Sequence, residues 1–591
     1  MNTLFIILNA LFVYLLYSFG GGFHLYLPLT NDIHFLLQET PLGTFFAYII
    51  FISFVLVGIS QKSQRLPFGY YIWEIILALS MFVIVFAGDF ITLFIGWEVM
   101  SISSYFIIAQ SNNIDKKTLQ KYILFSIASA FFLIAAMVFL YSGVESFDFE
   151  SASKRFYLMD IWLKVTVITL FSIGFFIKTG VIGLHYWVVD TYSKANDTFS
   201  AILSAVMSKM GIYGLFLIYG EIVGYNNLKE IFGALLNGST FGYALAWIGV
   251  VTSIIATFKA ITQDEVKRLL AYSSIAQLGY IVSAIGLGVE YGVGGALYHT
   301  LLHTIIKLLL FINVAAIIAQ TGKSRFSELG GLIYKTPVSF VMLLIGIIAL
   351  AGMPPLGGFA SKFMIYSSLI ETKFAIVLVA MLFSGAASFL YCYKLVYGIY
   401  LGHPNSPELF EQKEVSFSYL LPQIVLALLL LFIGTFPGLF IKVINPVLLE
   451  FHLTPIAYKG AGVMPSFIGD FNGLFIMSAF GVIFVLILLL VLKLSSKAVK
   501  NRDRFDISYC GEAPTEKTPL HYGYGVGAEL HRIGFINAIL KRSVSNFYEA
   551  LSTQTAKTSA LFSKMYGGNI HNTAITILLF FTLLYFLGVG A

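Results

Sequence analysis

Charge is scarce in this chain. Of its 591 residues only 11% are Asp, Glu, Lys or Arg, against about 25% in ordinary soluble domains, which rules out a water-soluble globular fold. Cysteine is scarcer still: Cys392 sits inside an apolar run and Cys510 in a polar one, and there are no others. Two thiols cannot ligate an iron–sulfur cluster, and no C-x-x-C-H haem attachment occurs. No cofactor is expected, and in any redox chemistry the electrons travel through another chain. The net charge of +6 is scattered over short loops rather than massed, which speaks against a nucleic-acid partner.

Long apolar runs stand where charge is missing. The chain is 58% hydrophobic, with 56 Phe, and runs of about 20 residues, each able to cross the hydrocarbon core, recur from end to end. We count about fifteen, near 2–20, 43–60, 70–87, 89–109, 120–142, 161–190, 198–220, 243–260, 269–288, 294–319, 337–370, 373–400, 418–440, 470–494 and 572–590. The fold expected is all-α and polytopic, embedded in a lipid bilayer. The first run has no basic n-region and no small-residue cleavage site, so a retained helix is expected there rather than a removed signal peptide. Basic residues gather after the even-numbered runs: Lys62, Arg65, Lys116, Lys117, Lys121, Lys194, Lys267, Arg268, Lys323, Arg325, Lys335, Lys413, Lys497, Lys500, Arg502 and Arg504. The positive-inside rule then expects a cytoplasmic amino terminus and, with an odd number of spans, an external carboxyl terminus.

Four regions follow: helices at 1–88, a core at 89–400 dense in intramembrane ionisable residues, further spans at 401–495, and a polar segment with a terminal anchor at 496–591. Two core runs are interrupted. Gly180 and Gly183 loosen one just after Lys178, and Pro354, Pro355, Gly357 and Gly358 break the other just before Lys362. Paired broken helices in two halves point to an inverted-repeat transporter. In the tail, apolar and charged residues alternate at roughly helical spacing from Gly527 to Met565. That suits an amphipathic helix lying along the membrane surface or against neighbouring subunits.

A charge at mid-bilayer costs at least about 2.5–3.5 kcal/mol, so such residues face a bundle interior or a wet path. Asp89 reads equally as a helix cap. Glu98 lies nine residues further in, too deep for capping; a structural ion pair is the alternative. Lys178 and Lys209 also look too deep to snorkel. Burial disfavours an ammonium and a nearby carboxylate favours it, so a lysine facing a movable glutamate can hold or release a proton. In "YHTLLHTIIKLLLF", His299, His303 and Lys307 recur every four residues and form one line about 12 Å long on a helix. Imidazole accepts and donates protons near neutral pH, so such a line can conduct. Zinc held by His299 and His303 is the rival reading, without an H-E-x-x-H glutamate or an obvious third ligand. The "ITQDEVKRLLAYSSIAQLGYI" stretch reads as structural, with Thr262 and Glu265 as a capping box and Lys267 and Arg268 in a loop.

Five motifs occur in order: "GWEVMSISSYFII", "KTGVIGLHYWVVD", "DEVKRLLAYSSIAQLGY", "YHTLLHTIIKLLLF" and "GMPPLGGFASKFMI". Together they resemble the proton-translocating, antiporter-like membrane subunits shared by respiratory complex I, multisubunit sodium/proton antiporters and energy-converting membrane-bound hydrogenases. The resemblance implies two inverted five-helix repeats, each with a broken helix, in a prokaryotic cell membrane. By motif, Glu98 and Lys178 would be the gating ion pair and Lys209 the bridge between halves. His299, His303 and Lys307 would form the central connection, Lys362 the terminal lysine, and His185 a histidine found in some members. The family expects two helices before 43–60, where this chain has one plus "FHLYLPLTNDIHFLLQ". The "FDISYCGEAPTE" tail resembles the large subunit of hydrogenase and formate hydrogenlyase complexes. The resemblance implies a non-catalytic subunit that moves protons, or sodium, beside other membrane subunits and a peripheral redox arm. A complex I-type subunit, a multisubunit or stand-alone sodium/proton antiporter and an idle structural anchor are the alternatives.

Overall fold

Hydrocarbon offers backbone amides no partners, so apolar runs must close their own hydrogen bonds as helices. The computed structural model describes residues 24–28, 34–401, 407–495, 526–541 and 544–565. Among them, 12 helices are long and apolar enough to cross a membrane, from Pro41–Ser63 to Gly473–Lys493. The 337–370 run forms two shorter helices, Pro337–Ala351 and Gly357–Glu371. The expected spans at 2–20 and 572–590, together with Cys510, lie outside the described residues.

The core is two sets of five. Phe68–Val85, Phe90–Ala109, Lys116–Val144, Ile161–Thr179 and Asp197–Ile222 form the first; Thr240–Ile261, Val266–Leu287, Glu290–Thr321, the Pro337–Ala351/Gly357–Glu371 pair and Ala375–Ile399 form the second. The fourth member is broken in each. Because five crossings separate their starting points, the second set begins on the opposite membrane face, which inverts the repeat. The even loops meet on one face, through Lys194–Asp115 at 2.9 Å, Lys267–Asp197 at 2.7 Å and Gln64 donating to the Tyr419 hydroxyl at 2.8 Å. The odd loops meet on the other, where the Leu42 amide donates to Glu450 at 2.9 Å and His34 contacts Asp148 at 2.6 Å.

Both breaks end in left-handed glycines. Ile161–Thr179 stops at Gly180 (φ 80°) and Pro337–Ala351 at Gly352 (φ 79°), a conformation that costs a residue with a Cβ roughly 1–2 kcal/mol. Past the first break, the Trp187 indole donates to the Ile177 carbonyl at 2.9 Å and ties the turn back on the helix. The returning segment Val188–Lys194 is held by Asp190, which accepts from Lys121 at 2.7 Å and Arg268 at 2.8 Å. One carboxylate thus fastens the break to two spans. Asp190→Asn is expected to cost about 2 kcal/mol, read as a lower melting temperature of the purified protein in detergent; an unchanged melting curve would contradict it.

One expectation needs correction. Thr262 and Glu265 form no capping box: Val266–Leu287 has Glu265 at its N-cap without a side-chain bond, and the Thr262 hydroxyl donates back to the Lys259 carbonyl at 3.0 Å. The chain turns over Arg325 and Phe326, whose loop takes the backbone partners a cap would have used. Ahead of Pro41–Ser60 there is an antiparallel hairpin, His24–Pro28 with His34–Gln38. It seats on the odd-loop face, with the Leu36 amide donating to Asp89 at 3.0 Å and Thr92 at 2.9 Å. Asp89 also caps Phe90–Ala109 by accepting from the Thr92 amide at 2.7 Å, so its capping role is met.

The chain divides into two compact units, Met1–Glu529 and Leu530–Ala591. In the second, the described residues form helices Gly534–Lys541 and Val544–Met565, as the helical pattern of the tail predicts.

Candidate functional site

Titratable side chains of both repeats are buried in the interior of the core. Lys178 is the last basic residue before the first break and is 1% exposed. Its ammonium donates to the Ser101 hydroxyl and the Tyr122 hydroxyl, each at 3.4 Å. The rings of Tyr122, Trp97 and Trp187 surround it at 5.4, 6.0 and 6.0 Å, a setting in which aromatic faces supply part of the lost hydration. Glu98 stands on the facing helix with Oε1 buried and without a hydrogen-bond partner. The two charges act on each other, but they do not touch: the Ser101 and Tyr122 hydroxyls occupy the ammonium instead. The pair is open in this structure.

Lys209 is fully buried, in a span wound partly as π-helix at Leu203–Met207 and Leu217–Ile222. Its ammonium donates to the Ser204 carbonyl at 2.6 Å. Wide turns of this kind recur at functional sites.

The four-residue row on Glu290–Thr321 is helical and buried throughout. The His299 and His303 rings lie parallel, 6.2 Å apart. Lys307 donates to the Ser273 hydroxyl at 2.6 Å and the Leu270 carbonyl at 3.2 Å. His299 Nδ1 is 2.9 Å from the Ser361 hydroxyl and Nε2 is 3.1 Å from the Gln277 side-chain oxygen. Both ring nitrogens of His303 are buried without a protein partner. Lys362, just past the second break, donates to the carbonyls of Leu350 at 3.1 Å and Ala351 at 3.0 Å. These are last-turn carbonyls of Pro337–Ala351, which the break leaves open and whose dipole favours a cation. The Tyr280 ring lies 5.2 Å from the same ammonium.

The structure therefore brings His299, His303, Lys307, Lys209 and Lys362 into one electrostatically linked group, and Glu98 and Lys178 into a second. His185 joins neither. It turns back on its own break, with Nδ1 accepting from the Gly183 amide at 3.2 Å, and its neighbouring charge is Lys259. Among the described residues no three His, Cys, Asp or Glu side chains stand together as metal ligands, and both nitrogens of His299 are engaged by Ser361 and Gln277.

The 261–281 stretch, read as structural, also touches the buried row. Lys267 and Arg268 are fasteners, but Ser273, Gln277 and Tyr280, further along the same helix, serve Lys307, His299 and Lys362 in turn. Their four- and three-residue spacing puts them on one helix face, a pattern that sequence alone displays and that hydroxyls, common in membrane helices, conceal. Tyr122 and Ser101 carry no such signal.

Compared with known proteins, residues 87–388 match the family described as "NADH:quinone oxidoreductase/Mrp antiporter, TM". Hydrogenase-4 component B of Escherichia coli is 28% identical over 397 residues, which cover 63% of this chain and 57% of that one. A Na(+)/H(+) antiporter subunit of Alkalihalophilus pseudofirmus is 26% identical, over 68% of this chain and 51% of its own. The chain thus spans little more than half the length of these two relatives. Among solved structures, a chain of an archaeal membrane-bound sulfane sulfur reductase superimposes with a TM-score of 0.86 at 26% identity, covering 98% of this chain and 95% of the other. A chain of the Mrp complex from Dietzia shares the fold, with a TM-score of 0.74 at 21% identity over 98% of this chain and 59% of its own.

Proposed function

The chain belongs to the NADH:quinone oxidoreductase/Mrp antiporter transmembrane family, and from that premise we propose that it moves protons across the membrane as the antiporter-like subunit of a redox-driven complex of the membrane-bound hydrogenase type. The observation that carries this reading is the buried row of His299, His303 and Lys307, extended by Lys209 and Lys362 across both repeats.

Elementary electrostatics says why such a row conducts. Neighbours four residues apart on a helix stand about 6 Å apart, and two unit positive charges at that distance repel by about 3 kcal/mol at an effective dielectric of about 20. The row holds one charge with ease and a second only under strain, so a proton delivered at one end displaces one at the other. His303, with both nitrogens unpartnered, is free to take a proton from either side; buried polar atoms of this kind are served by ordered water. His299 has a built-in adjuster. The Ser361 hydroxyl has one proton and two acceptors, His299 Nδ1 at 2.9 Å and the Gly358 carbonyl at 3.1 Å. It donates to a neutral imidazole and turns to the carbonyl when the ring carries a second proton.

At the other end, closing the open Glu98–Lys178 pair would draw Lys178 away from its hydroxyl partners and strengthen its hold on a proton; opening it releases that hold. Electron transfer in a peripheral redox arm would drive the closing and opening. The match over almost the whole of a chain from a respiratory reductase complex supports a redox partner. The even loops, which carry most of the basic residues, would face the cytoplasm. Sodium in place of protons, in a multisubunit antiporter, is the second reading, favoured by the likeness to the Alkalihalophilus antiporter chain.

Lys307→Ala is expected to lower proton uptake by vesicles holding the intact complex roughly 100-fold, with the subunits still assembled; undiminished uptake would remove the row from the path. The proteins that co-purify decide the type of complex, since a nickel–iron partner supports the hydrogenase reading and a quinone-site partner supports a complex I-type one.

A further inference from the structure

One buried carboxyl has no part in the proton row or the gating pair. Glu74, on Phe68–Val85, is 1% exposed, and no cation pairs with it among the described residues. Its Oε1 accepts the Gln61 amide at 2.8 Å, while Oε2 is buried with no partner. That division suits a carboxylic acid, with the amide on the carbonyl oxygen and the hydroxyl left over. The Gln61 amide also reaches the Tyr70 hydroxyl at 3.4 Å, and this hydroxyl faces that of Thr198. The Thr198 hydroxyl has two acceptors in reach, the Asn196 oxygen at 2.9 Å and the Gln64 oxygen at 3.3 Å, and Gln64 donates to Tyr419 at 2.8 Å. Gln64 lies beside Lys62 and Arg65, on the face where the even loops meet. A line of polar side chains therefore runs inward from that face and ends on the carboxyl.

What lies at the same depth is Lys209. Glu74 is six residues into its helix from the even-loop face, about 9 Å at helical rise. Ser204, whose carbonyl holds the Lys209 ammonium, lies at a similar depth in Asp197–Ile222. The Phe68–Val85 helix packs directly on the Ser208–Phe216 segment that carries Lys209, and Pro41–Ser60 packs on Leu203–Met207 beside it. A carboxyl serving only as glue between helices would have both oxygens engaged, because a buried polar atom left open costs about 1–3 kcal/mol.

We infer that Glu74 is a proton-loading carboxyl, supplied from the even-loop face along the line marked by the Thr198 and Tyr70 hydroxyls, with the amides only orienting them, and discharging toward Lys209. The transfer breaks the Oε2–H bond and forms an N–H bond on neutral Lys209, leaving a carboxylate on one helix and an ammonium on the next. The carboxylate then takes its next proton from the loop face. This inference rests on the translocation reading.

The test uses the intact complex in proteoliposomes, with electron transfer driving proton uptake. Glu74→Gln keeps the shape and the Gln61 contact and removes the proton. It is expected to cut uptake about tenfold or more at native assembly and melting temperature. Glu74→Asp should restore part of the rate and shift its pH profile, which a merely structural role would not do. Native uptake in Glu74→Gln, or a loss matched by lost assembly, overturns the inference. Lys178→Ala, run in parallel, separates the two readings. If it too transports normally, translocation itself fails; if it is dead while Glu74→Gln is native, the inlet alone falls.

Discussion

Replacing Lys178 by alanine is expected to abolish proton translocation, a fall of roughly 100-fold or more, while the complex assembles in normal amount. The ammonium is buried among three aromatic rings and two hydroxyls with no carboxylate in contact, so its removal breaks no direct ion pair and is tolerated by the fold. Glu98→Gln should behave alike, since Oε1 already lacks a partner. The sharper variant is Lys178→Arg. A guanidinium keeps the positive charge but does not release a proton in a protein. If Lys178 works by giving up its proton, Lys178→Arg is as inactive as alanine; if a fixed charge suffices, it pumps. Proton uptake by proteoliposomes, normalised to electron transfer, reads the difference, and undiminished uptake in the alanine variant sinks the gating role.

The second large effect is structural. Gly249→Leu is expected to leave little folded protein. Thr240–Ile261 and Val266–Leu287 touch backbone to backbone: a Cβ on Gly249 would stand 2.4 Å from the Gly279 carbonyl oxygen and 2.6 Å from the Ser283 amide nitrogen, and one on Gly279 would stand 2.4 Å from the Gly249 oxygen. Membrane helices associate through close packing of such small residues, and backbone atoms, unlike a side-chain end, cannot swing aside. Even Gly249→Ala should cost about 1–3 kcal/mol. The helix pushed away is the one that presents Ser273, Gln277 and Tyr280 to the central row, so whatever leucine variant survives should also transport poorly. Size-exclusion yield and a melting curve in detergent check this; native values for the leucine variant would mean that the two helices are not in contact in the folded protein.

Much of the architecture is legible in the sequence because the membrane leaves few choices. Apolar runs of the right length have to be spans, and "LAGMPPLGG" has to interrupt one. The regular spacing of His299, His303 and Lys307 carries over intact because a helix converts sequence interval directly into position. What the sequence hides depends on distant partners. Nothing near Lys178 in the sequence announces that Tyr122 lies against it, for the two are 56 positions apart. Glu74 falls near the end of a span, where a carboxylate normally reaches water, and only the packing of Gln61 and Tyr70 around it shows that it does not. The hairpin at 24–38 is too short to be a span and too apolar to be a loop, and its place is set by Asp89 and Thr92 more than 50 positions away.

The wide turn at Leu203–Met207 has a mechanical corollary. The Ser204 carbonyl collects both the Lys209 ammonium at 2.6 Å and the Ser208 hydroxyl at 2.9 Å. If the lysine surrendered its proton, that oxygen would lose its charged donor, and the under-wound turn would lose one of the ties that keep it open. On the translocation reading, local winding and local charge would be geared together, so that discharging this one amine would relax a coil of backbone inside the bilayer.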